Sequence, residues 1–207
     1  MTLQDLKKAA ADAALSLAAE MPWSDVTLPA VAERAGVPLA DFYGEITRNT
    51  LLALIDEKLD KACASEPIEA DSTLRERIFD VAMLRFEAME DQREALLSIR
   101  KSWKLKPAPR LEAAKRRTRT AKWILTCAEA DPAGLSAKAV ILSGILFRAE
   151  QAWEKEDSAD FSRTMAQLDR DLRDVDDFVG KVSRFSIMPQ RKKKDEAGKG
   201  DTAPSNS

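Results

Sequence analysis

The sequence predicts an all-α chain: a three-helix head at the N-terminus, then a helical bundle body. Two observations predict it. Apolar residues recur at three- and four-residue steps through most of the chain, the spacing that lines one face of a helix. The composition agrees, because Ala, Leu, Glu, Lys and Arg dominate while 207 residues contain only seven Gly. A chain of this length buries a core without disulfides or metals to staple it.

The head is legible element by element. Leu3, Leu6, Ala9, Ala10, Ala13, Ala14, Leu17 and Ala18 mark a long amphipathic helix that Met21-Pro22-Trp23 ends. Thr27 precedes Leu28-Pro29-Ala30-Val31-Ala32, where Thr is a good N-cap and Pro in the first turn loses no hydrogen bond. Gly36 supplies the C-cap of this short helix. Val37-Pro38 opens a second short helix, expected from Leu39 to about Ile46, and Thr47-Arg48-Asn49 breaks it. Leu51, Leu52, Leu54, Ile55 and Leu59 mark a longer helix. Two short helices around a Gly-containing turn form a helix-turn-helix signature. The first packs on the long helix and holds the second at the angle from which it can enter a major groove. The head covers residues 1–60.

The body is expected over residues 61–185, after a turn-rich joint at 65–72 that holds Pro67 and Asp71. Helices are expected from Leu74 to Met89 and from Ala95 to Leu105. Pro107 and Pro109 interrupt, and a helix from about Leu111 to Ala130 follows. After the turn Asp131-Pro132-Ala133-Gly134 comes the most apolar helix, Ala137 to Glu154, and then a last one, capped by Asp157 to Asp160, that reaches about Val182. Residues 186–207 are polar, carry Arg191-Lys192-Lys193-Lys194, and are expected to be a disordered tail.

Several function classes are disfavoured at once. The chain has no His, which excludes a Ser-His-Asp triad, His acid/base catalysis and the usual His zinc sites. Cys63 and Cys127 are far apart in sequence and read as two reduced thiols. There is no nucleophile–base pair, carboxylate dyad or Gly-rich phosphate loop, so neither enzyme activity nor a metal or cofactor is expected. No apolar run approaches the roughly 18–20 residues of a membrane span. Lys7, Lys8 and Asp12 interrupt any signal-peptide core, so the expected location is the cytoplasm.

The stretch from Val26 to Tyr43, VTLPAVAERAGVPLADFY, resembles the DNA-binding head of TetR-family transcriptional repressors. The preceding helix with Ala13-Ala14-Leu15, Trp23 in the turn and the Leu51-Leu52 helix fit as well, so the resemblance covers roughly residues 3 to 60. It implies a homodimer that sets two recognition helices in successive major grooves, with a small hydrophobic molecule in the body releasing the operator. It implies that Thr27 and Tyr43 contact phosphates, that Leu39, Ala40 and Gly44 face bases, and that Arg48 stands beside the position where the family usually carries a Lys. Two departures matter. Asp41 and Glu45 put carboxylates on the reading helix, and residues 1–55 hold four basic against seven acidic side chains. DNA affinity draws largely on cation–phosphate contacts, which such a head lacks.

The body resembles a second group. Leu74 to Ile78, Arg93 to Ile99, Glu156 to Thr164 and Leu168-Asp169-Arg170 look like the lipid-binding proteins of coenzyme Q (ubiquinone) biosynthesis, which share the TetR fold. That resemblance implies an alternative, a lipid-binding accessory protein that no longer binds DNA.

Three further features carry expectations. Residues 100–122 hold ten basic residues against Glu112 alone, and Arg100, Lys104, Arg116 and Arg117 are candidates to dock an anionic membrane or an acidic protein. The counterweight is residues 148–177, with five basic and ten acidic side chains. Phe79, Met83, Phe86, Trp103, Trp123 and Phe147 are candidates to line a ligand cavity, with plain core as the other reading. The small residues around Ser143-Gly144, with Leu168, Leu172, Val175 and Phe178, suggest a dimer interface, with a seam inside one chain as the other reading.

Overall fold

A computed structural model describes residues 1–69, 71–103 and 107–186, with side chains as far as residue 177. Among them every regular element is helical. Thr2 starts α1 (Leu3–Glu20) with a reciprocal cap: its hydroxyl accepts from the Asp5 amide, and the Asp5 carboxylate accepts from the Thr2 amide. The inner face of α1 is alanine-rich, with Ala10, Ala14 and Ala18 buried. That small-residue face lets α2 (Leu28–Ala35), α3 (Arg48–Asp60) and, from the body, α5 (Arg93–Lys101) all pack on one helix.

The caps of α2 are those the sequence predicts. Thr27 accepts from the Ala30 amide at 3.4 Å, and Gly36 ends the helix at φ 67°. The next segment departs from the expectation. Instead of a helix from Leu39 to Ile46 there is one 3-10 turn, Leu39–Phe42. Gly44 takes φ 78°, a left-handed conformation that no continuing helix permits. Phe42 and Ile46 on either side are both buried in the head core. The Ile46 amide donates to the Phe42 carbonyl at 2.9 Å, so the chain closes a loop around Gly44.

The body adds α4 (Leu74–Glu90), α6 (Pro107–Cys127), α7 (Leu135–Trp153) and α8 (Ser162–Ser186). A second reciprocal cap, Thr73 with Glu76, opens α4. Pro107 and Pro109 do not interrupt but start α6, because amides of a first turn have no partner to lose. The turn at 131–134 folds α7 back along α6. Between α7 and α8 the buried Glu156 accepts from the Thr164 amide and hydroxyl and from the Ser158 hydroxyl. Burial pushes its pKa up, but these donors outweigh it and bring it down to about 2.

Leu168 and Leu172 are buried inside the chain, where α8 packs on α7 and α4. They belong to an intrachain seam rather than to a free pairing stripe. Val175 is half-buried in the same packing, and the Phe178 side chain lies outside the described residues. Both cysteines are free; burial pushes the Cys63 thiol up to about 12, while Cys127 is half-buried. The tail expected after α8 lies outside the described residues. No helix among the described residues is long and apolar enough to cross a membrane.

Gly36 has the left-handed φ but nothing within 4 Å of where a Cβ would stand, so strain alone decides a substitution there. Gly36→Ala should cost about 1–2 kcal/mol in urea denaturation while keeping the helical circular dichroism. An unchanged midpoint would mean that the turn carries no strain.

Candidate functional site

The head's candidate residues fall on its outer surface, with one exception in how its charge is used. Thr27 is exposed at the start of α2; Leu39 and Ala40 are exposed on the 3-10 turn. Tyr43 is 92% exposed at the tip of the loop that Gly44 turns. Arg48 is the exception. Its guanidinium donates to the Val26 carbonyl at 2.5 Å and to the Trp23 carbonyl, and it stacks 4.7 Å from the centroid of the Trp23 ring. Burial shifts its pKa down. These contacts fasten the α1–α2 turn to α3. The carboxylate of Glu45 has its own partner, Lys7 at 3.7 Å.

Below the head lies a buried ionic joint. Asp60, the last residue of α3, accepts from Arg85 Nε of α4 at 2.8 Å and from the Thr120 hydroxyl of α6 at 3.0 Å. Its carbonyl accepts from the Trp123 indole at 2.8 Å. One turn earlier Asp56 accepts from Arg116 Nε at 2.7 Å and from Arg85 at 3.4 Å. Asp56 with Arg116 and Asp60 with Thr120 make two polar rungs between α3 and α6. Glu150 of α7 accepts from Arg100 at 2.8 Å and from Arg117 at 2.9 Å. Its burial raises its pKa, but Arg100 and Arg117 outweigh that and lower it to about 2.

These pairs correct the reading of the basic segment. The side chains of Arg100, Arg116 and Arg117 are only 11–14% exposed and are committed to carboxylates within the fold. They do not present a docking surface for a membrane or an acidic protein; Arg100 and Arg117 pair with acids of the counterweight, and Arg116 with Asp56. Lys104 lies outside the described residues. A sum of charges along the sequence counts these arginines as a patch because it ignores the direction each guanidinium takes. Asp56 and Asp60, which the sequence reading missed, carry a usable signal: acids among Leu52, Ile55 and Leu59 on the inner face of a helix need buried cations.

A groove of about 690 Å³ lies between the end of α5, α6 and α7. Trp103, Leu111, Gly144 and Phe147 give it apolar walls; Arg110 and Lys155 stand at it as well. Arg116 stacks 5.1 Å from the Trp103 ring and Arg117 4.9 Å from the Phe147 ring. A void of about 50 Å³ behind it reaches Asp56, Arg85 and Glu150. Of the six candidate ligand residues, the groove brings together Trp103 and Phe147. Phe86 is core, Phe79 and Met83 open on two separate clefts beside the 66–72 segment, and Trp123 is at the surface with its indole given to Asp60. Helical spacing identifies apolar faces; which cavity each face meets depends on the packing partner. Leu111 and Gly144, the unforeseen wall residues, are marked only by an apolar side chain on a polar face and by a glycine inside a helix.

This arrangement has counterparts among solved structures. The TetR transcriptional regulator from Nitrosomonas europaea ATCC 19718 superposes with a TM-score of 0.64 at 24% identity, over 81% of this chain and 96% of that one. A TetR transcriptional regulator from Rhodococcus sp. RHA1 does so with a TM-score of 0.57 at 14% identity, over 82% and 93%. The fold is therefore that of TetR regulators. No protein-family model and no curated protein matches the chain. Neither neighbour lends support to the coenzyme Q resemblance of the body.

Two outcomes test the ionic joint. Arg85→Met strands Asp60 and should destabilise the chain by about 3–5 kcal/mol in urea denaturation. Arg34→Met, on the exposed pair with Glu20, should change far less. Glu150 has a folded pKa of about 2 against an ordinary 4.5, so its contribution is full above about pH 4.5 and lost as pH falls toward 2. Glu150→Gln should flatten the acid limb of the stability–pH curve in that window. An unchanged limb would mean that Glu150 does not couple folding to protons.

Proposed function

We propose that the chain is a TetR-like DNA-binding regulator of transcription, a repressor that works as a homodimer and is released by a small hydrophobic ligand in its body. Residues 1–60 form the DNA-binding head, and residues 61–185 the ligand-binding and dimerisation body. The single observation that carries the reading is Tyr43: its phenol stands 92% exposed at the tip of a rigid three-helix head, where the hydroxyl reaches a phosphate. Thr27 at the start of α2 supplies a second contact, and the α2 amides around it favour an anion. Leu39, Ala40 and Gly44 are the base-facing group.

Release follows from the joint. The groove is the ligand site of this reading, and Trp103 in its wall stacks on Arg116, whose other contact is Asp56 of the head. A ligand that moves Trp103 shifts the rung that sets the angle of α3. Pairing draws on Val140 and Ile141, which leave an apolar face on α7 exposed at 61% and 50%.

One observation favours a second reading. The reading segment is a single 3-10 turn flanked by Asp41 and Glu45, and Arg48 is committed within the head. A head of this kind suits a TetR-fold protein that has left DNA and serves as a lipid-binding accessory.

Fluorescence anisotropy against the protein's own upstream DNA, with a random duplex as control and a salt series, separates the two. The repressor should show specific binding that weakens linearly on a log–log salt plot. Tyr43→Ala should weaken it roughly 10-fold, about one charge-free phosphate contact, with circular dichroism unchanged. Absence of specific binding at low salt would overturn the first reading.

A further inference from the structure

We propose that the α6–α7 groove is built for a single-chain amphiphile with an anionic head. This rests on the reading that the body takes a small hydrophobic effector, and it names the chemistry of that effector. The groove, at about 690 Å³, is of the size of small-molecule sites. One part of its lining is apolar, with Trp103 from just after α5, Leu111 from α6 and Phe147 from α7, while Ser143, Gln151 and charged side chains line the rest. The apolar part matches an aliphatic chain, and the polar part a charged head.

The charges around it are not balanced. Arg100 and Arg117 are neutralised by Glu150, and Glu154 in the same groove by Arg100 at 2.5 Å. Arg110 and Lys155 have no carboxylate partner among the described residues. They are two cations at the edge of the cleft, in a chain that pairs most of the neighbouring guanidiniums. A neutral ligand leaves both without a partner, whereas an anionic head joined to the chain meets them with charge-assisted hydrogen bonds.

Gly144 supplies an independent observation. Glycine within a helix costs about 1 kcal/mol against alanine. Within this chain nothing stands within 4 Å of a Cβ built there, so no close packing between helices compensates that cost. The bare backbone instead floors the groove and leaves room for a guest to lie against α7.

Titration calorimetry of the full chain, without DNA, tests the inference with decanoate, decyl phosphate and decanol below their aggregation limits. One site should take at least one of the anions, and decanol should bind at least roughly 10-fold more weakly. Decanoate against decyl phosphate tells which head group the cations prefer. Arg110→Ala/Lys155→Ala alters two side chains without a structural partner, and should bring the anion down to the affinity of decanol. Gly144→Leu fills the groove from a helical position with open space, so it should abolish binding while thermal stability stays level or rises. Equal affinity for decanol, or an anion affinity that survives the double substitution, would overturn the proposal. So would a Gly144→Leu variant that still binds but loses a dimer, which would make this face a contact between two copies. Because DNA is absent throughout, failure of the operator-binding reading leaves these results intact, and the reverse holds too.

Discussion

The contact on which the rest of the molecule depends is the buried pair of Asp60 and Arg85. Asp60 is 8% exposed and Arg85 7%. Taking two such charges out of water costs several kcal/mol per ion before any attraction is counted. The pair is tolerated only because its remaining valences are filled. Thr120 gives its hydroxyl to the second Asp60 oxygen, and Arg85 turns its other nitrogens to Asp56 and to the Met89 sulfur. Three helices thus have one register in which every polar group is met. Sliding α3 by one residue against α4 or α6 would strand a charge, whereas an apolar seam of Leu and Ile would repack at modest cost. The head is therefore attached to the body by a joint with a defined position.

That joint also explains why the sequence reading succeeds in some places and fails in others. Local rules decide the helices and their ends: Thr27 as a cap and Gly36 as a left-handed stop act within four residues, and both stand where the sequence puts them. The reading of Pro107 and Pro109 as an interruption fails, since the same residue that breaks a helix from inside begins one from its first turn. The 39–46 segment was lost to a competition that local rules cannot score. Phe42 and Ile46 are both core anchors, four residues apart as in a helix, but the left-handed Gly44 between them lets the chain bulge outward instead. The basic segment is the same lesson for the site. Arg116 and Arg117 are neighbours in sequence, yet one faces Asp56 in the head and the other Glu150 in the body. Their roles follow from partners 60 and 33 residues away.

The loop around Gly44 has a consequence for any contact the head makes. A recognition helix offers several side chains to a groove along one rigid face. Here one residue, Tyr43, projects between two buried anchors, flanked by carboxylates. Such a tip offers few groups to a partner along one face. Because α3 joins this tip to the body, a change in the angle of α3 would carry Tyr43 with it.

α6 is the element that can impose such a change. It runs beside α3 through the Asp56 and Asp60 rungs and beside α7 through Glu150, so one helix contacts both the head and the groove. The two adjacent arginines divide the work: Arg117 lies against Phe147 in the groove wall, and Arg116 lies between Trp103 in that wall and Asp56 in the head. A guest that displaces either ring acts on a guanidinium whose carboxylate is already fixed. Arg117 has little freedom, because Glu150 is held by Arg100 as well. Arg116 holds Asp56 in company with a longer contact from Arg85, 3.4 Å against 2.7 Å, so Asp56 has a second cation ready if Arg116 withdraws. Asp56 meets Arg116 with one carboxylate oxygen and Arg85 with the other, so two guanidiniums from two helices of the body hold α3 at the same point.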